Sequence, residues 1–219
     1  MQKKKIVTAG DRIYLKFFDL DFFHQKAAEA NAVLAPFKEF DEKKFKKEIS
    51  DAEAIIVIDR PLRKEHFDVM KRCKIVLALE VGFDFIDVDA ATERGIIVAN
   101  VPTYGTEEVA LHALSLILAC QRKLKNLIKE TASGGWNYHA AEPVRQLKGK
   151  KLGIIGLGKI GRNLVKKVQG LELELIGYDP YLSDDIFAMI GVERRYEFNE
   201  ILEEADIISL HVPLNPETH

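Results

Sequence analysis

Short, nearly uninterrupted apolar runs recur in the first part of the chain, at residues 5–9, 32–35, 54–58, 75–79 and 96–99, with stretches of helical character between them. A strand that is apolar on both faces has to be covered on both faces, which a parallel sheet with crossover helices provides. The pattern therefore predicts an α/β protein whose residues 1–101 form a flavodoxin-like βα lobe.

One long helix is expected from about residue 106 to 129, with Glu107 and Glu108 in its first turn and Arg122, Lys123, Lys125 and Lys129 towards its end, as the helix dipole favours. Its middle is apolar nearly all round, which predicts burial between domains or subunits and hence a homodimer. A loop of small and polar residues at 133–138 follows, and 147–151 lead into a second set of strand-like runs at 152–155, 173–178, 192–196 and 206–211. Residues 102–219 thus read as a Rossmann domain. A complete one has about six strands in two halves, so the sequence is expected to hold only its first part.

The break between the first two of these runs carries chemistry. The strand at 152–155 opens into Gly156, Gly158 and Gly161, followed by a helix with Ile160, Leu164 and Val168 on one face, and Asp179 closes the next run. The first glycine permits a tight turn, the second lets backbone approach a pyrophosphate, and the third lets helix and strand pack closely. The helix N-terminus supplies unshared N–H groups and a positive dipole end for that anion. Asp179, about 20 residues on, is placed to accept the ribose hydroxyls of an adenosine and to repel a 2′-phosphate. NAD is the expected cofactor. Glycines also mark ordinary strand-to-helix turns; here strand, amphipathic helix and acid occur together.

The remaining composition narrows the picture. With 32 Lys and Arg against 34 Asp and Glu, the net charge of −2 gives no field for nucleic acid. Cys73 and Cys120 are too few for a disulfide framework and stand in apolar contexts, as expected of buried free thiols in a reducing cytoplasm. No apolar stretch has the length of a membrane span, and the first run stops at Gly10, too short for a signal peptide. His24, His66, His112 and His139 show no carboxylate partner in the sequence and receive no chemistry, and no metal site is assigned.

Several ordered segments carry a resemblance: residues 81–87 and 100–102, the glycine loop, 178–181 and 209–214 are similar to the D-isomer-specific 2-hydroxyacid dehydrogenases, and the similarity runs from about Lys3 to His219. The resemblance implies an NAD-dependent enzyme that interconverts a D-2-hydroxy acid and a 2-keto acid. It implies that the backbone N–H groups of Val81 and Gly82 hold the substrate carboxylate, with Tyr104 on the substrate side. Lys159 and Ile160 would present amides to the pyrophosphate, and Val212 and Pro213 would line the adenosine side. The family's catalytic arginine, glutamate and histidine belong to motifs expected beyond residue 219, so no catalytic residue is named and these residues alone are expected to be inactive. His211 matches a packing segment. A corepressor-like scaffold, which shares the segment at 178–183, or a truncated interaction domain is the alternative. Glu80 beside the carboxylate turn would disfavour anionic substrates unless its side chain points away. Ala78 replaces an arginine of phosphoglycerate-type members, leaving Arg60 and Arg63 as phosphate contacts.

Overall fold

The computed structural model describes residues 3–10, 19–39 and 41–219. They divide into two compact units, one running to Pro102 and including Leu214–Glu217 and His219, the other Thr103–Pro213 with Thr218. In chain order the first holds β1 (Lys4–Gly10), α1 (Leu20–Glu29), β2 (Ala32–Phe37), α2 (Glu42–Ile49), β3 (Ala54–Ile58), α3 (Lys64–Phe67), β4 (Ile75–Ala78), α4 (Val88–Glu93) and β5 (Ile97–Asn100). All five strands pair in parallel, in the order β2-β1-β3-β4-β5. The apolar runs account for this: Val7, Ala9, Ile55, Val57, Val76 and Ala78 are fully shielded in one core with Phe45, Ile49 and Phe67 from the helices. An aspartate starts each of three helices. Asp19, Asp41 and Asp87 accept hydrogen bonds from the N–H groups of Phe22, Lys44 and Ala90, satisfying donors that the first turn leaves orphaned. Because every strand is parallel, the chain leaves all of them at the same sheet edge.

The second unit continues with α5 (Thr106–Gln121), α6 (Leu124–Ala132), β6 (Lys151–Ile155), α7 (Lys159–Val168), β7 (Glu174–Tyr178), α8 (Asp184–Ile190), β8 (Glu193–Arg194), α9 (Phe198–Glu204) and β9 (Ile207–Leu210). Its parallel sheet has the order β8-β7-β6-β9. The order reverses at β6, the topological switch point at whose carboxyl edge ligands of such sheets bind. Leu164, Val165 and Val168 of α7 are buried with Leu152 and Ile154 of β6. Ile160, expected on that face, is only partly buried and packs at its margin. Among the described residues no helix is long and apolar enough to cross a membrane.

The single helix expected at 106–129 is two. The N–H groups of Arg122 and Lys123 close the end of α5 on the carbonyls of Leu118 and Cys120, and Lys123 then turns left-handed at φ 52° before α6 starts. The basic residues that suit the end of one long helix equally suit the end of a shorter one. Burial along α5 is also narrower than expected. Ala110 and Ile117 are buried, whereas Val109, Leu111 and Leu116 are exposed.

An ion-pair cluster ties β6, α9 and the residue after β8 together. Arg195 grips Glu204 through Nε at 2.7 Å and Nη2 at 2.8 Å, and Lys151 Nζ reaches the same carboxylate at 2.8 Å. Hydrogen bonds from Arg195, then Lys151, hold the Glu204 carboxyl down from 4.5 to about 2. A carboxyl depressed by folding stabilises the protein above its unfolded pKa, and that stabilisation is lost as pH falls through the folded value. Glu204→Gln should therefore lower Tm at neutral pH and show a smaller further loss between pH 4.5 and about 2. Parallel thermal melts across that range check this; identical acid-side slopes would contradict it.

Candidate functional site

The turn out of β6 assigns a separate duty to each glycine. Gly156 stands at φ +86°, and a side chain there would begin 2.7 Å from the His211 carbonyl oxygen and from Val212 Cγ1. At Gly161 a side chain would overlap the Gly156 carbonyl oxygen, so α7 can start this close to the turn only without one. Gly158 differs. It has φ −68°, which any residue adopts, and a Cβ there meets nothing within 4 Å. The protein itself does not exclude a side chain at Gly158, which leaves clear space where a ligand would approach the backbone.

That space faces unshared donors. No side chain caps α7, and among the described residues the N–H groups of Gly158, Lys159 and Ile160 have no acceptor. Three adjacent amides at the positive end of a helix dipole suit a diphosphate. Leu157, between the first two glycines, is unavailable, since its N–H donates to Asp179 Oδ2 at 2.9 Å. The other oxygen of Asp179 accepts from the Tyr181 N–H at 3.0 Å. The carboxylate after β7 is thus anchored beside the glycine turn, and the exit from β9 reaches the same turn through Val212, which Pro213 follows. Gly156, Gly158, Lys159, Ile160, Gly161, Asp179 and Val212 are brought to one edge of one sheet. His211 lies behind them: its N–H donates to the Ile155 carbonyl at 2.8 Å, Nε2 pairs with Ser209 Oγ at 2.9 Å, and burial holds its imidazole below the ordinary pKa.

Helical spacing carries one more signal, a basic stripe. Lys159, Arg162 and Lys166 line a groove between α7 and α8 with Met189 and Ile190. No cluster of His, Cys, Asp or Glu among the described residues is arranged to hold a metal.

With Asp179 so placed, Asp179→Ala should narrow a preference for NADH over NADPH, by removing the acceptor for the ribose hydroxyls and the charge that opposes a 2′-phosphate. Equilibrium titrations of both proteins with both nucleotides test this. An unchanged affinity ratio would sink it.

In the first unit, the turn after β4 has the carbonyls of Glu80 and Val81 engaged. The Val101 N–H donates to the Glu80 carbonyl at 3.1 Å, and Asn100 Nδ2 to the Val81 carbonyl at 2.8 Å. The N–H groups of Val81 and Gly82 have no acceptor among the described residues. Two successive free amides at a sheet's carboxyl edge make a small anion nest. Glu80 does not project freely: Oε1 accepts from the Asp59 N–H at 2.6 Å. Burial pushes its carboxyl above the usual range, against the pull of the Asp59 N–H, and the charges of Asp59 and Asp84 add to the rise. Tyr104 belongs to the second unit and is exposed ahead of α5.

Several sequence expectations need correction. Arg60 is not a free phosphate contact, because its guanidinium lies 3.8 Å from the centre of the Phe45 ring and donates to the Glu39 carbonyl at 2.9 Å. His66 and His139 do have carboxylate partners, Glu42 at 2.5 Å and Glu142 at 2.7 Å. His66 Nδ1 accepts from the Arg63 N–H, so its proton sits on Nε2 and points at Glu42. Cys120 is exposed rather than buried.

Comparison with known proteins places this geometry in a class. Residues 114–219 match the family model described as D-isomer specific 2-hydroxyacid dehydrogenase, NAD binding domain. A glyoxylate reductase of Korarchaeum cryptofilum is 31% identical over 92% of this chain and 58% of its own length. A D-3-phosphoglycerate dehydrogenase of Methanocaldococcus jannaschii is 37% identical over 78% of this chain and 32% of its own. Among solved structures, D-lactate dehydrogenase from Aquifex aeolicus, complexed with NAD and lactic acid, superposes with a TM-score of 0.85 at 29% identity, over 99% of this chain and 62% of that one. In residues 114–219 the chain carries the NAD-binding domain of the D-isomer specific 2-hydroxyacid dehydrogenase family. It spans between about a third and three fifths of the length of the two curated relatives named above.

Proposed function

We propose that this chain is part of an oxidoreductase that interconverts a 2-keto acid and a D-2-hydroxy acid, with NAD as the hydride carrier. The observation that carries this reading is the pair of unshared amide sets, each at the carboxyl edge of a parallel sheet: Gly158 to Ile160 in one unit, Val81 and Gly82 in the other. The first set, with Gly158 left open beside it, suits the cofactor diphosphate, and Asp179 suits the adenosine ribose. The second set suits a substrate carboxylate. Val212 and Pro213 border the adenosine. Bound NAD supplies hydride acceptance and donation; the residues named here bind and orient.

NADH oxidation by the full-length gene product with a panel of 2-keto acids tests the reading. Turnover supports it. NADH binding without turnover of any keto acid would favour a nucleotide-responsive scaffold instead.

A homodimer forms part of the proposal. Val109, Leu111 and Leu116 of α5 and Leu124 and Ile128 of α6 are exposed, more apolar surface than a short helical hairpin keeps in water without cost. Sedimentation at micromolar concentration should show the dimer; a monodisperse monomer would refute it.

A further inference from the structure

The Val81–Gly82 turn, the proposed seat of a substrate carboxylate, has an acid before it and another after it in sequence. Glu80 immediately precedes it, with one carboxylate oxygen fixed on the Asp59 N–H. Asp84 closes in from the other side: its Oδ1 lies 3.3 Å from the point where a Gly82 side chain would begin. Neither acid, nor Asp59, is paired with a cation among the described residues. Arg60, next to Asp59, is turned onto Phe45 and the Glu39 carbonyl. The turn therefore offers two neutral donors in a negative field set locally by Glu80 and Asp84.

Such a field treats the parts of a substrate differently. The 2-keto acid's own carboxylate meets the two amides directly, and their hydrogen bonds offset the repulsion. A second anionic group further along the carbon chain meets the same carboxylates without those donors, at distances where like charges in a partly desolvated site repel appreciably. Because the Asp59 amide tethers Glu80, its carboxylate cannot swing into solvent to relieve that repulsion without losing the hydrogen bond.

We propose that Glu80, supported by Asp84, determines substrate charge: the site accepts 2-keto acids whose only negative group is the carboxylate and rejects those with a second one, such as a phosphate or a further carboxylate. The inference rests on the dehydrogenase reading and adds a substrate class to it. It also separates this chain's substrate from the one named for its phosphoglycerate-type relatives.

The test uses the full-length protein and two series of probes. Pyruvate and glyoxylate carry one charge; oxaloacetate and phosphohydroxypyruvate carry more. The parent should favour the first series in kcat/KM. Glu80→Gln should raise the kcat/KM of the second series relative to the first by about tenfold, or ~1.4 kcal/mol, mainly through KM. The parent's discrimination should also weaken with added salt, and that of the variant should not. Asp84→Asn should shift the ratio in the same direction and serves if Glu80→Gln fails to fold. Calorimetric binding of D-lactate and D-malate to the NAD complex gives the same comparison without turnover. Ratios that neither variant changes, in turnover and in binding, would overturn the charge filter, as would a parent that handles both series equally. Turnover of no keto acid would count against the dehydrogenase reading alone, since the binding comparison still decides the filter.

Discussion

Gly158→Ala should weaken NADH binding by between about ten- and a hundredfold and leave the unliganded protein's melting temperature nearly unchanged. The first part follows from the unshared amides of Gly158, Lys159 and Ile160: a methyl group where the diphosphate must come closest pushes it off at least one charge-assisted hydrogen bond, worth roughly 1.5–3 kcal/mol. The second part follows from φ −68° and the absence of any atom within 4 Å of the new Cβ. Calorimetric titration with NADH beside a thermal melt of the apo protein reads both. If the variant binds as tightly as the parent, Gly158 is no more than a turn residue.

Gly161→Ala should fail in the opposite way. Its Cβ would overlap the Gly156 carbonyl oxygen, a backbone atom that cannot rotate aside, so α7 has to move away from β6. Overpacking of this kind costs about 1–3 kcal/mol, and in a chain of this size each kcal/mol lowers Tm by roughly 2–4 °C. The melt should drop by several degrees, and NADH binding should weaken because the amide cradle is displaced with the helix. An unchanged Tm would mean that the loop is slacker than its geometry indicates. Two glycines a few residues apart in one motif thus give separable phenotypes.

The strands and the glycine loop were legible in the sequence because their signals are local. An apolar run flanked by helical stretches identifies a covered parallel strand, and Gly156, Gly158, Gly161 and Asp179 stand at fixed offsets from it. The break at Lys123 gave no such signal. A lysine in left-handed conformation replaces the glycine or asparagine that usually announces a helix stop. Partners distant in sequence were equally invisible. The pairing of His66 with Glu42, the stacking of Arg60 on Phe45, and the hold of the Leu157 N–H on Asp179 all depend on how elements pack. The charge of Glu80 was readable, but its tether to Asp59 requires the left-handed turn after β3, at φ 50°.

The bond between Leu157 and Asp179 bears on how this lineage could change cofactor. On the proposed reading the acid would oppose a 2′-phosphate, and it also holds the Leu157 N–H beside that position. Replacing it with a small neutral residue removes the opposing charge and, in the same step, releases a donor aimed at the vacated position. If Asp179 sets the cofactor preference as proposed, one codon change would both weaken that preference and free a neighbouring N–H donor.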